Sequence, residues 1–197
     1  MFVLPMVGLS SRFFAAGYTL PKYQLPLHGR TVFAHVVDSF RDYFDSDEFL
    51  FICRADHGAE DFIRRELRAQ GVRHARTVVL DAATRGQAET VYQGTRGVGG
   101  GEELFIFNID TFRPGFRKSP QAARCDGYLE VFVGDGEHWS FVDPGPDGRV
   151  LRTTEKLRIS NLCSDGLYHF RRKADFDQAF EAACADDDTV KIGRAHV

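Results

Sequence analysis

The chain has 197 residues, 43% of them hydrophobic and 18 of them phenylalanine, a length and composition that suit one α/β domain with an aromatic-rich core. A formal charge of −3 supplies no basic face of the kind that nucleic acids require, so a nucleic-acid partner is not expected. No apolar stretch reaches the ~18–20 residues of a membrane span and the first one lacks the basic lead of a signal peptide, so the expectation is a cytoplasmic protein with no membrane partner.

In chain order, the apolar run FVLPMV (residues 2–7) predicts a buried strand. GLSSRFFAAGYTLPK (residues 8–22) follows as a loop. Thr31 is placed to cap a helix in which Val32, Phe33, Val36, Val37, Phe40 and Phe44 share one face. Residues 48–53 predict a second strand, and residues 58–71 a helix closed by Gly71, since glycine is the usual residue just past a helix end. A third strand (77–80), a third helix (86–96) and a fourth strand (103–108) continue the rhythm. Strict alternation of strand and helix argues for a mostly parallel sheet covered on both faces.

Beyond Asp110 the rhythm changes. Residues 127–134, 138–144 and 149–156 are strand-like runs separated by Gly and Pro turns, as in a meander. Residues 166–170 predict one more strand and 174–184 an amphipathic helix. Trp139 and the phenylalanines are expected in the core. VGGG (98–101) is a turn and not a dinucleotide fingerprint, because that motif follows a strand and opens a helix. Cys53, Cys125, Cys163 and Cys184 have no C-x-x-C spacing and read as reduced thiols. The end of the chain, DDDT followed by KIGRAHV, has neither helical nor strand pattern, and KIGRAHV resembles the translation of a sequencing adapter. The expectation is therefore a domain over residues 1–190, C-terminally truncated, with a non-native tail at 191–197.

The chemistry gathers in the first loop. In open α/β sheets ligands bind outside the carboxyl ends of the strands, where this loop lies. Gly8 leaves the backbone bare, Leu9 continues it, and Ser10 and Ser11 offer hydroxyl and amide donors of the kind that form anion-binding concavities. Arg12 is a permanently charged fork matched to phosphate oxygens, and Lys22 is a movable point charge aimed by Pro21. No Gly-Lys-Ser/Thr opens a helix here, which excludes a Walker loop. Asp110 stands just beyond the fourth strand, where a carboxylate either holds Mg²⁺ or caps a turn. Gly86 opens a helix where a flat base could approach, with Thr84 and Gln87 as hydrogen-bonding neighbours; an ordinary helix start fits equally. Glu155 and Lys156 alone read as a solvated pair at a strand end.

PMVGLSSRFFAAGYTLPKYQLPLHGRTVFAHVV resembles the N-terminal signature of the sugar-1-phosphate nucleotidyltransferase (NDP-sugar pyrophosphorylase) superfamily, G-x-G-[ST]-R, a gap, then P-K. It is most similar to small bacterial members tied to capsule and surface-polysaccharide biosynthesis. Here Ser10 stands at the signature's second glycine. The resemblance runs to about residue 190. It implies a Rossmann-like three-layer αβα sandwich with a mostly parallel mixed sheet, the nucleotide-diphospho-sugar transferase fold.

By that resemblance Arg12, Lys22 and Asp110 are catalytic, with Asp110 holding Mg²⁺. Gly8, Leu9, Ser10, Ser11, Thr84, Gly86 and Gln87 bind the nucleotide. RTTEKLRISNLCSDGLYHF is similar to the sugar-side motif, so Glu155 is expected to take sugar hydroxyls, Lys156 the sugar phosphate, and Gly166 to leave room for the pyranose ring. The implied reaction joins an NTP to a sugar 1-phosphate or a similar phosphate, giving an NDP-sugar and pyrophosphate. The superfamily's second metal-binding aspartate has no counterpart after Cys184, because Asp186, Asp187 and Asp188 read as tail; a truncated chain of this kind is expected to bind nucleotide poorly or be inactive. A metal-dependent glycosyltransferase that consumes an NDP-sugar, and a non-catalytic nucleotide-binding module, are the competing expectations.

Overall fold

The computed structural model describes residues 1–185. Its first apolar run forms β1 (Phe2–Pro5). Met6 keeps one further bond, donating to the Ile52 carbonyl at 2.7 Å, before the chain leaves the sheet. Where the sequence predicts only a loop, a short helix α1 (Ser11–Ala15) and a 3-10 turn at Lys22–Gln24 intervene. A small hairpin, β2 (Pro26–Leu27) and β3 (Arg30–Thr31), then closes over His28 and Gly29. Both turn residues have positive φ, 47° and 78°, as a two-residue hairpin turn matched to strand twist requires.

Thr31 caps α2 (Val32–Asp38), its Oγ1 accepting the Ala34 N–H at 3.0 Å. The helix ends earlier than its apolar face suggests, and a 3-10 turn at Arg41–Tyr43 carries Phe40 and Phe44 into the same core. β4 (Phe49–Arg54) leads to α3 (Ala59–Gln70), closed by Gly71 at φ 78°. β5 (Ala75–Leu80), α4 (Gln87–Gly94) and β6 (Leu104–Phe107) follow. The meander comprises β7 (Gly127–Val133), β8 (Ser140–Pro144) and β9 (Val150–Glu155). β10 (Leu162–Phe170) and α5 (Lys173–Ala185) complete the described chain.

The eight main strands form one mixed sheet. β5, β4, β1 and β6 run parallel, and β10 pairs antiparallel with β6. β10 begins four residues before its predicted start because its first half has neighbours on both edges. Cys163 stands opposite Phe132 of β7 on one side and Phe141 of β8 on the other. The β7 register then shifts between Ser164 and Tyr168, as at a bulge, which re-aims the backbone around Asp165 and Gly166.

Alternation along the strands sorts two cores. Phe2, Leu4, Phe49, Phe51, Phe105 and Phe107 face α2 and α3, while Val3, Leu50, Ile52, Leu104 and Ile106 face α4 and α5. Three layers result. The first core is a nest of rings: Phe2 lies 4.7–5.9 Å from those of Phe40, Tyr43, Phe49, Phe105 and Phe116. The second is aliphatic along β1, β4 and β6, with the Phe170 and Phe176 rings 5.2 Å apart beside it, and close-set, since a Cβ on Gly94 would stand 2.6 Å from Ile52 Cγ1.

Trp139 departs from expectation. It sits at the meander surface, 38% exposed, edge-on to the half-open Phe132 ring at 5.0 Å. The indole finds a donor role by reaching the Asp135 carbonyl at 3.0 Å. The four cysteines are free thiols, and among the described residues no helix is long and apolar enough to cross a membrane. The expected tail at 191–197, the acidic run Asp186–Asp188 and the last residues of the expected 1–190 domain lie outside the described residues.

Candidate active site

The parallel strands end on one side of the sheet, and there a cleft of about 320 Å³ opens. Its walls come from four separate segments: Gly8 and Leu9 after β1, Lys22 and Tyr23, the Ala83–Gln87 stretch into α4, and Asn108–Asp110 after β6. Of the residues expected to form a site, it brings together Gly8, Leu9, Lys22, Thr84, Gly86, Gln87 and Asp110.

Lys22 and Asp110 meet across the mouth, Nζ to Oδ2 at 2.5 Å. The pair is partly open to solvent, so its charges remain available to a ligand. Three features set the lysine's position. Pro21 precedes it at φ −63°, its own N–H donates to Ser10 Oγ at 3.1 Å, and Tyr23 beside it is buried against Phe62 at 5.7 Å. In front of Gly8 a Cβ would meet nothing within 4 Å; the glycine leaves bare backbone facing open space.

Ser10, Ser11 and Arg12 do not line the cleft. Ser10 precedes α1 in the left-handed region at φ 51°. Ser11 and Arg12 lie on that exposed helix, and Arg12 forms no ion pair among the described residues. The expected cationic pair is therefore split, with Lys22 in the cleft and Arg12 outside its lining on α1.

On the α4 wall, Thr84 Oγ1 contacts Thr90 Oγ1 at 2.6 Å. Gln87 donates through Nε2 to Asn108 Oδ1 at 2.9 Å, tying the helix start to the end of β6. Arg85 lines the same wall and was not singled out from sequence; a cation directly before Gly86 was the available signal. Its backbone N–H donates to Glu89 Oε2 at 2.6 Å and its guanidinium lies 3.2 Å from the same oxygen. Burial alone would raise the Glu89 carboxyl, but these Arg85 contacts hold it below the usual value.

The three sugar-side residues lie outside the cleft lining. Glu155 Oε2 accepts the Ser140 hydroxyl at 2.6 Å and its other oxygen stands 3.7 Å from Lys156 Nζ. Gly166, at φ 91°, does not face empty space: a Cβ there would stand 2.6 Å from Asn108 Cγ. The missing side chain at Gly166 lets the Asn108 amide approach its backbone closely. Next to it, Asp165 shares an acid pair with Glu130, which Arg113 neutralises. Burial, helped by Glu130, lifts the Asp165 carboxyl to about 6 against the Leu167 N–H that lowers it.

Among the described residues Asp110 is the one carboxylate lining the cleft, and no group of three or more His, Cys, Asp or Glu side chains there could hold a metal. Magnesium is commonly held by one or two carboxylates together with substrate phosphates. Asp110 therefore fits an ion that arrives on a polyphosphate and does not fit a cage made by protein alone.

A crystal structure of the nucleoside-diphosphate-sugar pyrophosphorylase from Vibrio cholerae RC9 matches the chain with a TM-score of 0.90 and 47% identity, over 95% of this chain and 80% of that one. The chain belongs to the nucleoside-diphosphate-sugar pyrophosphorylase family. That family identity makes it a nucleotidyltransferase by class, in agreement with the signature in its first loop. The inositol-1-phosphate CTP transferase from T. maritima shares the fold at 16% identity and a TM-score of 0.71, over 89% of this chain and 71% of that one. A UDP-glucose pyrophosphorylase complexed with UDP-glucose does so at 15% and 0.68, over 91% and 78%. No family model and no curated protein matches the chain.

Proposed function

We propose that this pyrophosphorylase-family chain joins a nucleoside triphosphate to a sugar 1-phosphate, or a similar phosphate, and releases pyrophosphate, supplying an NDP-sugar for surface polysaccharide. The observation that carries the reading is the Lys22–Asp110 pair, 2.5 Å apart and 88 residues distant in sequence, at the mouth of a cleft bounded by the bare Gly8–Leu9 backbone.

A phosphate oxygen of the acceptor attacks the α-phosphorus in line, forming the new P–O bond as the bond to the β-phosphate oxygen breaks. Phosphoryl-type transfer needs little covalent help, so positioning and charge neutralisation dominate. Lys22 Nζ meets the charge on the α-phosphoryl group. The Gly8–Leu9 backbone lies along the phosphates, and Arg12, on α1 directly after it, meets their outer oxygens as a fixed cationic fork. Asp110 would hold Mg²⁺ brought by the triphosphate, which supplies neutralisation of phosphate charge when bound. Thr84, Gly86 and Gln87 form the base side. Glu155 and Lys156 lie on the acceptor side, and Gly166 acts there through Asn108.

The test is a panel of NTPs crossed with sugar 1-phosphates and polyol phosphates, following pyrophosphate. Release that depends on both substrates is expected. Free NDP formed from an NDP-sugar would replace the reading with glycosyl transfer, and saturable nucleotide binding without either product would reduce the chain to a binding module.

A further inference from the structure

Ser10 occupies the position where the nucleotidyltransferase signature carries its second glycine, and its geometry gives the departure a purpose. Its φ of 51° lies in the left-handed region, which glycine enters freely and serine only at a cost. Serine directly before a helix commonly caps it through its hydroxyl. Ser10 makes no side-chain bond to α1. Its Oγ turns away and accepts the backbone N–H of Lys22 at 3.1 Å, twelve residues on.

We propose that Ser10 is a positioning residue whose hydroxyl anchors Lys22. The bond closes the loop from residue 10 to residue 22 and fixes the backbone from which Nζ reaches Asp110 at 2.5 Å. A lysine head rides on a flexible four-carbon stem, so where it points depends on how firmly its own backbone is held. Tyr23, buried against Phe62, secures one side of Lys22, and Ser10 secures the other. A glycine at position 10 makes the same turn and gives no anchor. The catalytic part of this inference rests on the role proposed above for Lys22.

Three variants test it, read by pyrophosphate release, thermal unfolding and hydrogen exchange at the Lys22 amide. In Ser10→Gly, turnover and Lys22 amide protection each fall about tenfold through loss of one hydrogen bond and the geometry it holds. Its melting temperature barely moves, because relief of the left-handed strain offsets the lost bond. Ser10→Ala loses the same turnover and also melts earlier, since it keeps the strain. Ser10→Asn, which tolerates the left-handed region and offers a carbonyl acceptor, recovers slow exchange and most of the turnover. Wild-type exchange and turnover in Ser10→Gly overturn the proposal, as does turnover that simply follows melting temperature across the three. A wild-type chain that releases no pyrophosphate overturns the proposed function and leaves the anchor decided by the exchange rates.

Discussion

Lys22 and Asp110 come from opposite halves of the chain and neutralise each other in one contact. If they act on phosphate as proposed, Lys22→Ala or Asp110→Asn lowers turnover by ~10² or more, the usual cost of removing one preorganised electrostatic contact. Steady-state pyrophosphate release measures this, and circular dichroism should stay that of the native fold because both side chains are partly exposed. Asp165 gives a separate expectation. Burial and Glu130 raise its carboxyl from 3.8 to about 6, so the native state holds that proton more tightly than the unfolded chain. The stabilisation it contributes is complete below about pH 4 and is lost as pH rises towards 6. Asp165→Asn keeps an acceptor for the Leu167 N–H and should flatten the pH 4–6 slope of melting temperature. At this scale the sequence spoke unevenly. Lys22 and Asp110 were legible as candidates for the cleft, Lys22 from the Pro-Lys that carries the resemblance and Asp110 from its place just past an apolar strand. Arg85, Asn108 and the Glu130–Asp165 pair were not, because their meaning comes from strands that meet only in the fold.

The elements were legible wherever one period dominated a long run. α3 was found with its Gly71 terminator, and β4 and β6 with their continuous apolar cores. The hairpin of β2 and β3 was missed because two-residue strands carry no pattern; only His28-Gly29 marked it. β10 was read short, since Leu162–Ser164 gain strand character from partners on both edges and not from their own sequence. α4 offers a test of how elements set the cleft. It packs so closely that Gly94 has the Ile52 side chain where a Cβ would go, with Cγ2 at 2.8 Å. Gly94→Ala should cost ~1–3 kcal/mol as an overpacked contact despite alanine's better helix propensity. The shift should also loosen Gln87 from Asn108, raising the KM for nucleotide, and trimming Ile52 to Val in the same chain, which removes the Cδ1 nearest the new methyl, should recover part of both.

For the whole molecule, the two faces of the sheet are built differently. The α2–α3 face is a connected set of rings centred on Phe2, and the α4–α5 face sets aliphatic strand residues beside a smaller group of rings, Phe170 and Phe176 among them. Phe2→Ala empties a site fully shielded from solvent and should cost ~3–5 kcal/mol, visible as a lower denaturation midpoint with unchanged slope. Composition gave notice of an aromatic core. It could not say that the rings of β1, β4 and β6 would share one side, because that follows from the alternation of Phe2, Phe49, Phe51, Phe105 and Phe107 across three strands at once.

β10 also divides labour. Within the sheet it alone joins the parallel strands to β7, β8 and β9. Residues proposed to grip the nucleotide come from the parallel-strand side of it, and Glu155 and Lys156, at the end of β9, are carried on the far side of that seam. On those proposed roles, donor and acceptor recognition would be written on separable cassettes. A graft that exchanges the meander while keeping β10 offers a route to a new acceptor without rewriting the donor pocket.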